Sequence, residues 1–407
     1  MKLLVISSHF PYGVHDEFLG TELNYLSAVF ESVEIAPLTP NTDSFSHALP
    51  SNVSVDLSLA RAITPRLTPF LPSTIERNTR RMGAWLSSPQ IADILRHNGS
   101  ASLAHSILER ADAKTVYEWA KRRPPPTLAY TFWLGSAITG LRRAWPRVPI
   151  VSRAHGSDIY GRSLSFPPPL IVGSVDGATS VRAVSAHGVE HLRRRFPASS
   201  GKIGVSRLGL NSHGQIAEHS SDGILRIMSA SADTVNKRVQ LIATLTLEIS
   251  RMRPVQWTHF GPRPTLKFSQ RDTDELRRTA NFAGMVAQST ITEHMLSQPV
   301  DLFINLSLSE GVPVTLIEAQ SFGIPVLCTD VGGSTEAAPP CLNIAVSMNA
   351  SASEIAHALD SSFADSTDSR IARQMAFERE FSASVVYPKW VHGLLNIADG
   401  HQWGQGS

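Results

Sequence analysis

The sequence predicts two α/β domains, each a parallel sheet with helices on both faces. Three observations carry that expectation. Short apolar runs alternate with stretches of helical period through the first half of the chain. A polar stretch without period, Leu208–Gly223, then interrupts them. Beyond it the alternation restarts. A length of 407 residues accommodates two or three domains and a core that needs no disulfide or metal staple.

Taken in order, Lys2–Ser8 is a short apolar run ending in small polar residues, as a strand buried on both faces does. Glu17–Phe30 places Phe18, Leu23, Leu26, Val29 and Phe30 near helical spacing. Ser32–Pro37 is a second strand. Residues 40–100 break the pattern. Pro, Ser, Thr and Arg recur there, as in Thr64–Pro72, and the expectation is an insertion without regular strands. Arg122–Pro126 ends a helix in a rigid, exposed turn. Leu128–Phe132, Pro149–Ala154 and Gly177–Ser185 are further strands, each followed by a helical stretch. Leu208–Gly223 reads as the interdomain linker. After it, strands are expected at Ile224–Met228, Gln256–Phe260, Asn281–Gly284, Leu302–Leu306 and Pro325–Cys328. Two Rossmann-like, doubly wound halves follow, residues 1–207 and 208–382, with a tail over 383–407. Such halves bind ligand at the carboxyl ends of their strands, here facing each other across a cleft.

Composition narrows the class. With 42% hydrophobic and 18% charged residues, the chain is neither collagen-like, coiled-coil nor wholly disordered. Two cysteines, Cys328 and Cys341, are too few for a disulfide framework and favour a reducing, cytoplasmic setting. The apolar run at the N-terminus is too short for a signal peptide, and no stretch reaches the roughly 18 apolar residues of a membrane span. Residues 1–200 hold 21 Lys and Arg against 15 Asp and Glu. That basic half suits an anionic membrane surface or an anionic acceptor, or is a solvated arginine-rich face. Arg193–Arg195 end a helix and complement its dipole, so no nucleic-acid partner is expected.

The most informative segment is Leu302–Glu336. An apolar strand runs into the loop Ser307–Pro313, and a helix then starts near Val314 and ends at Phe322, with Gly323 as its C-cap. Such a loop delivers backbone amides at a helix start, which suits an anion. Gly311 allows close approach of a ligand. Glu310 sits at the loop mouth and Glu318 one turn inside the helix, with seven residues between them. Carboxylates accept paired hydrogen bonds from vicinal hydroxyls, as on a sugar or a ribose. Read as an isolated pair, Glu310 stabilises the helix start and Glu318 is an exposed helix residue.

The flanking pattern changes that weighting. Glu310-Gly311-Val312-Pro313, Glu318-Ala319, Phe322–Val326 and Val331-Gly332-Gly333 resemble the motif of retaining glycosyltransferases of family 4, which have the GT-B fold. The resemblance implies that Glu310 addresses the donor sugar hydroxyls and Glu318 the nucleotide ribose. It also implies that the backbone of Val312, Pro313, Val314 and Thr315 cradles donor sugar and phosphate. Ser229-Ala230-Ser231 followed by Asn236-Lys237-Arg238-Val239 is similar to the family's phosphate-binding element, with Lys237 at the helix start. The family's upstream arginine is replaced by Ser231 or Ala232, leaving Arg238 and Arg207 as candidates for the second phosphate charge. Arg153–Tyr160 resembles the family's His-Gly-x-Asp loop, which implies that His155 faces the donor sugar near the reacting centre. Asp158 and Trp133 are acceptor-side candidates, although core packing is the commoner role for such a tryptophan. The first loop, Phe10–Phe18, keeps a single glycine, Gly13, where relatives have two or more, and His15 or Glu17 is available to touch acceptor. A helix over Ala383–Ile397 is expected to cross back to the first domain, as GT-B chains do.

The resemblance implies a metal-independent transferase with no cofactor besides a nucleotide diphosphate sugar of UDP or GDP type. Its bacterial polysaccharide subgroup implies a glycan or lipid-linked acceptor and a peripheral place on the inner face of the plasma membrane. A sugar-nucleotide epimerase of the same fold and a non-catalytic nucleotide-sugar-binding module are the alternatives. Asp272-Thr273-Asp274 has metal-binding spacing, but it precedes Glu275–Arg278 and reads as the acidic start of a helix.

Overall fold

The computed structural model describes residues 1–12, 17–39, 48–63, 110–160, 172–265, 267–362 and 365–403. Two units divide the chain, Met1–Gly209 with Val386–Ser407, and Leu210–Val385.

The first unit holds a seven-stranded parallel sheet. Its strands are β1 (Lys2–Ser7), β2 (Ser32–Pro37), β3 (Val53–Val55), β4 (Leu128–Thr131), β5 (Ile150–Ala154), β6 (Ser180–Ala183) and β7 (Ile203–Val205), in the order β3-β2-β1-β4-β5-β6-β7. The apolar runs have the expected physical cause. Leu3, Leu4, Val5 and Ile6 of β1 are all buried, because helices cover both faces of a parallel sheet. The helix Glu17–Val29 buries Leu19, Leu23 and Leu26.

One expectation fails. Within residues 40–100, Val53–Val55 forms β3, paired in register with Val33–Ile35, and Ser58–Ile63 is a helix. Three residues are too few to show a period. The pairing is secured instead from outside the strand: Asn52 donates to the carbonyls of Ser27 and Phe30, both at 2.9 Å. Residues 40–47 and 64–100, with most of that insertion, lie outside the described residues. Gly177 also differs from its expected strand, ending the helix Val172–Gly177, so β6 starts only at Ser180.

The second unit repeats the plan with six parallel strands. They are β8 (Leu225–Ala230), β9 (Val255–Phe260), β10 (Ala280–Gly284), β11 (Leu302–Asn305), β12 (Val326–Thr329) and β13 (Ile344–Val346), in the order β10-β9-β8-β11-β12-β13. Both sheets grow outward from a first central strand and reverse direction beside it. In the second unit that reversal falls between β8 and β11, the place at which open sheets of this kind take ligands, at the carboxyl ends of their strands. The stretch from Leu210 to Gly223 is not loosely attached. Arg370, 1% exposed, donates to the carbonyls of Ala217 (2.7 Å), Glu218 (3.1 Å) and Val300 (2.7 Å).

The helix Ala383–Ala398 is the last regular element among the described residues. From Val386 on it belongs to the first unit, where Trp390 meets Tyr130 at 5.1 Å and Arg153 stacks 4.2 Å above the Trp390 ring. Gly393 is small for a reason: a Cβ there would stand 2.1 Å from the Trp403 ring. Among the described residues, no helix is long and apolar enough to cross a membrane. Asp272 and Asp274 lie in the first half of the helix Gln270–Thr279, which Ser269 caps.

Candidate active site

In the second unit, the loop after β8 and the loop after β11 are clasped together. Leu308 N–H donates to Asn236 O at 2.8 Å, and the Asn236 amide donates back to Ser309 O at 3.0 Å. Arg238 follows with a left-handed backbone, φ 48°, a strained conformation for a residue with a side chain. Its guanidinium holds that geometry, donating to the Leu306 carbonyl and to Met348 O at 2.7 Å. Arg238 therefore spends these two donors on the framework of the loops, while its other terminal nitrogen, Nη2, is buried with no hydrogen-bond partner among the described residues.

The clasp brings Lys237 and Glu310 together. Lys237 Nζ lies 2.5 Å from Glu310 Oε1, with the lysine side chain 28% exposed and the glutamate 11%. Asn305 donates to the same oxygen at 3.4 Å. Its amide is turned that way because Oδ1 is taken by Ser307, whose Oγ–H and N–H donate to it at 2.6 and 3.0 Å. Behind the loop stands Gly332, φ 55°, where a Cβ would sit 1.8 Å from the Glu310 carbonyl oxygen. Gly332 is thus the backstop against which the Glu310 backbone packs, a job its place in a motif did not reveal.

Gly311 and Val312 are buried, and Pro313 stands at the N-cap of the helix Val314–Ser321 without a side-chain cap. Val314 and Thr315 open that helix, so first-turn amides gather at the loop that carries Glu310. Gly323, φ 70°, ends it as expected. Glu318 is not an exposed helix residue. It is 8% exposed, and Gln288 Nε2 donates to both its oxygens at 2.6 Å while Thr292 Oγ1 donates to Oε1 at 2.9 Å. Gln288 and Thr292 are not singled out in the sequence, and Asn305 stands out only as the start of an Asn-Leu-Ser glycosylation sequon, one discounted at a buried strand end. Asn305 looks like a strand end, and Gln288 and Thr292 share only a four-residue spacing on a polar helix.

The first unit contains a second cluster. His155 follows β5, is 8% exposed and packs on Trp133 (4.4 Å between ring centres) and Phe132 (4.9 Å). Burial, aided by the Arg153 charge, pushes its imidazole down to about 3, so it is neutral at physiological pH. Its Nε2 lies 3.0 Å from Phe132 O. A carbonyl only accepts, so the proton sits on Nε2. Asp158 is also buried, and its Oδ2 accepts from Leu134 N–H (3.1 Å) and His155 N–H (3.0 Å). Asp158 ties two strand-end loops together through Oδ2. Trp133 is half-buried against His155. Arg207 lies in this unit and accepts from Arg153 through its carbonyl. Gly13 and His15 lie outside the described residues, as does the side chain of Glu17.

Residues 261–379 match the family model Glycosyl transferases group 1. Glu310, Glu318 and Gly332 fall inside that stretch. A segment of 50 residues is 44% identical to the putative teichuronic acid biosynthesis glycosyltransferase TuaC of Bacillus subtilis (strain 168), covering 12% of each chain. The chain thus aligns with only about an eighth of the length of that curated relative. The sucrose-phosphate synthase tll1590 of Thermosynechococcus elongatus superposes with a TM-score of 0.69 at 12% identity, covering 98% of this chain and 99% of that one. Anabaena Alr3699/HepE, solved in complex with UDP, gives 0.59 at 14% identity over 97% and 100%. At such identities the likeness carries the fold. The chain has the GT-B fold.

Proposed function

We propose that this chain is a retaining glycosyltransferase of the family 4 type, moving a sugar from a UDP or GDP sugar to a glycan or lipid-linked acceptor in polysaccharide biosynthesis. The carrying observation is the 2.5 Å contact between Lys237 and Glu310, with Glu318 on the helix that follows the same loop. A lysine, two carboxylates and first-turn amides are the groups that a diphosphate, a sugar and a ribose call for. The match to TuaC and the UDP complex of the Anabaena protein agree with a donor of this class and a polysaccharide product.

In this reading Lys237 meets the diphosphate, Glu310 the donor sugar and Glu318 the ribose. The acceptor hydroxyl forms its bond to the anomeric carbon on the face from which the diphosphate leaves. As the bond to the phosphate oxygen breaks, that oxygen takes the acceptor proton. The protein supplies position and stabilises the developing diphosphate charge, so no metal is required. His155, being neutral, offers hydrogen bonding and packing rather than a cationic acid. The basic first half of the sequence suits a peripheral place at an anionic cytoplasmic membrane face.

The test is nucleotide release from UDP-glucose and GDP-mannose with lipid-linked glycan extract as acceptor, comparing the protein with Glu310→Ala. Release that depends on acceptor and falls in the variant supports the reading. Release that a folded Glu310→Ala variant retains in full overturns the role of Glu310. Product with inverted anomeric configuration overturns the retaining assignment.

A further inference from the structure

Glu318 is almost buried, yet the side chain lying on it is exposed. Gln288 reaches in from the first position of the helix Gln288–Ser297, and its single amide nitrogen takes both carboxylate oxygens at 2.6 Å. Paired contact to both oxygens is how a carboxylate holds a vicinal diol. Here an amide occupies that face. Thr292, one helical turn further on and only partly exposed, approaches a single oxygen, Oε1, at 2.9 Å.

We propose that Gln288 is a tethered stand-in for the ribose diol, closing Glu318 in the empty site and swinging away when nucleotide binds, while Thr292 is a positioning residue that holds the carboxylate in the orientation the diol needs. This rests on the ribose-binding reading of Glu318. The two roles follow from exposure. An exposed glutamine on a flexible stem recovers hydrogen bonds from water when displaced, so its contact is readily exchanged. A closed fraction still weakens apparent affinity in proportion. Should the Gln288 contact close the site about four-fifths of the time, its removal tightens binding about fivefold.

The test is calorimetric titration of UDP and GDP, and of their 2′,3′-dideoxy counterparts, into the full chain and into Gln288→Ala, Gln288→Asn and Thr292→Val. The shorter asparagine cannot span the gap, so both Gln288 variants are expected to bind the preferred ribonucleotide about fivefold tighter. Dideoxy nucleotides, which do not compete for Glu318, should bind all proteins alike. Thr292→Val should weaken ribonucleotide binding and leave the dideoxy form unchanged. Ribonucleotide affinity that is unchanged or weaker in Gln288→Ala overturns the stand-in role while leaving the site itself in place. An equal loss for both nucleotide forms in Thr292→Val overturns its positioning role. Failure of every protein to bind either ribonucleotide overturns the site reading and this inference together.

Discussion

Lys237 and Glu310 are brought within 2.5 Å by loops that leave two different strands, β8 and β11. Neither loop orders its residue alone. Asn236 and Leu308 stitch the loops together, and Asn305 shares the carboxylate. The pair is partly open to solvent, so its function should be far more sensitive to mutation than its fold. Lys237→Ala is expected to lower kcat/KM about 100- to 1,000-fold, the usual loss for one charge-stabilising group. The melting temperature should move by no more than a few degrees, because such a partly exposed pair contributes little to stability. Steady-state kinetics and calorimetric melting check both halves.

Gly332 is expected to be intolerant for a reason that a control can isolate. Gly332→Ala puts a Cβ 1.8 Å from the Glu310 carbonyl at φ 55°, whereas Gly223→Ala, at φ 79°, meets nothing within 4 Å. The control carries only backbone strain, about 1 kcal/mol. Gly332→Ala should cost about 3 kcal/mol or more and abolish nucleotide binding, because Glu310 must shift. Equal melting temperatures for the two variants would contradict the backstop role.

His155 makes a pH prediction with a definite sign. Its folded value, about 3, lies below an unfolded value near 6.5. The unfolded chain therefore binds the extra proton, and stability rises with pH across that window. The contribution is full above about pH 6.5 and is lost as pH falls toward 3. Between pH 6.5 and 4.5, His155→Gln should lose roughly 2–3 kcal/mol less stability than the parent in urea unfolding. His259, pushed down to about 4 by burial, adds a parallel loss common to both proteins. Nitrogen NMR of labelled histidine should show His155 neutral, with the proton on Nε2, from pH 8 to 5. Titration near 6.5 would contradict the burial argument.

Arg153 and Glu22 form a pair with both side chains fully buried, Nη2 to Oε2 at 3.0 Å. Burial pushes the Glu22 carboxyl up, and the Arg153 charge pulls it back. Breaking such a pair from one side strands a buried charge, so Arg153→Ala should destabilise the first unit by about 3–5 kcal/mol. Hydrogen exchange should then quicken in residues 386–398, since Arg153 stacks on Trp390 there. Unchanged exchange in that segment would show that the helix is held without Arg153.

Most of the fold was legible because parallel strands buried on both faces read as apolar runs. Leu3–Ile6 and Leu302–Ile304 needed no context. What escaped was either too short for a period or fixed by partners distant in sequence. Val53–Val55 is a strand because Val33–Ile35 and Asn52 make it one. At the candidate site, Glu310, Glu318 and Lys237 were legible through their spacing and resemblance, and the structure brings Lys237 onto Glu310. Arg238 and Asp158 were legible as members of motif segments, but their hydrogen-bond partners were not. Their hydrogen bonds go to backbone groups, which no side-chain pattern records. Gln288 and Thr292 carry no sequence signal and Asn305 only a sequon unrelated to this role, because their importance lies in which oxygen they reach.

The central claim is that the carboxyl ends of β8 and β11 form a nucleotide diphosphate site. Calorimetric titration with UDP and with GDP, without added metal, tests it most directly, using Lys237→Ala as the comparison. The account predicts that the protein binds one of the two nucleotides and that the variant binds it at least about tenfold more weakly, the equivalent of one charged hydrogen bond. Binding of neither nucleotide, or equal binding by the variant, would contradict it.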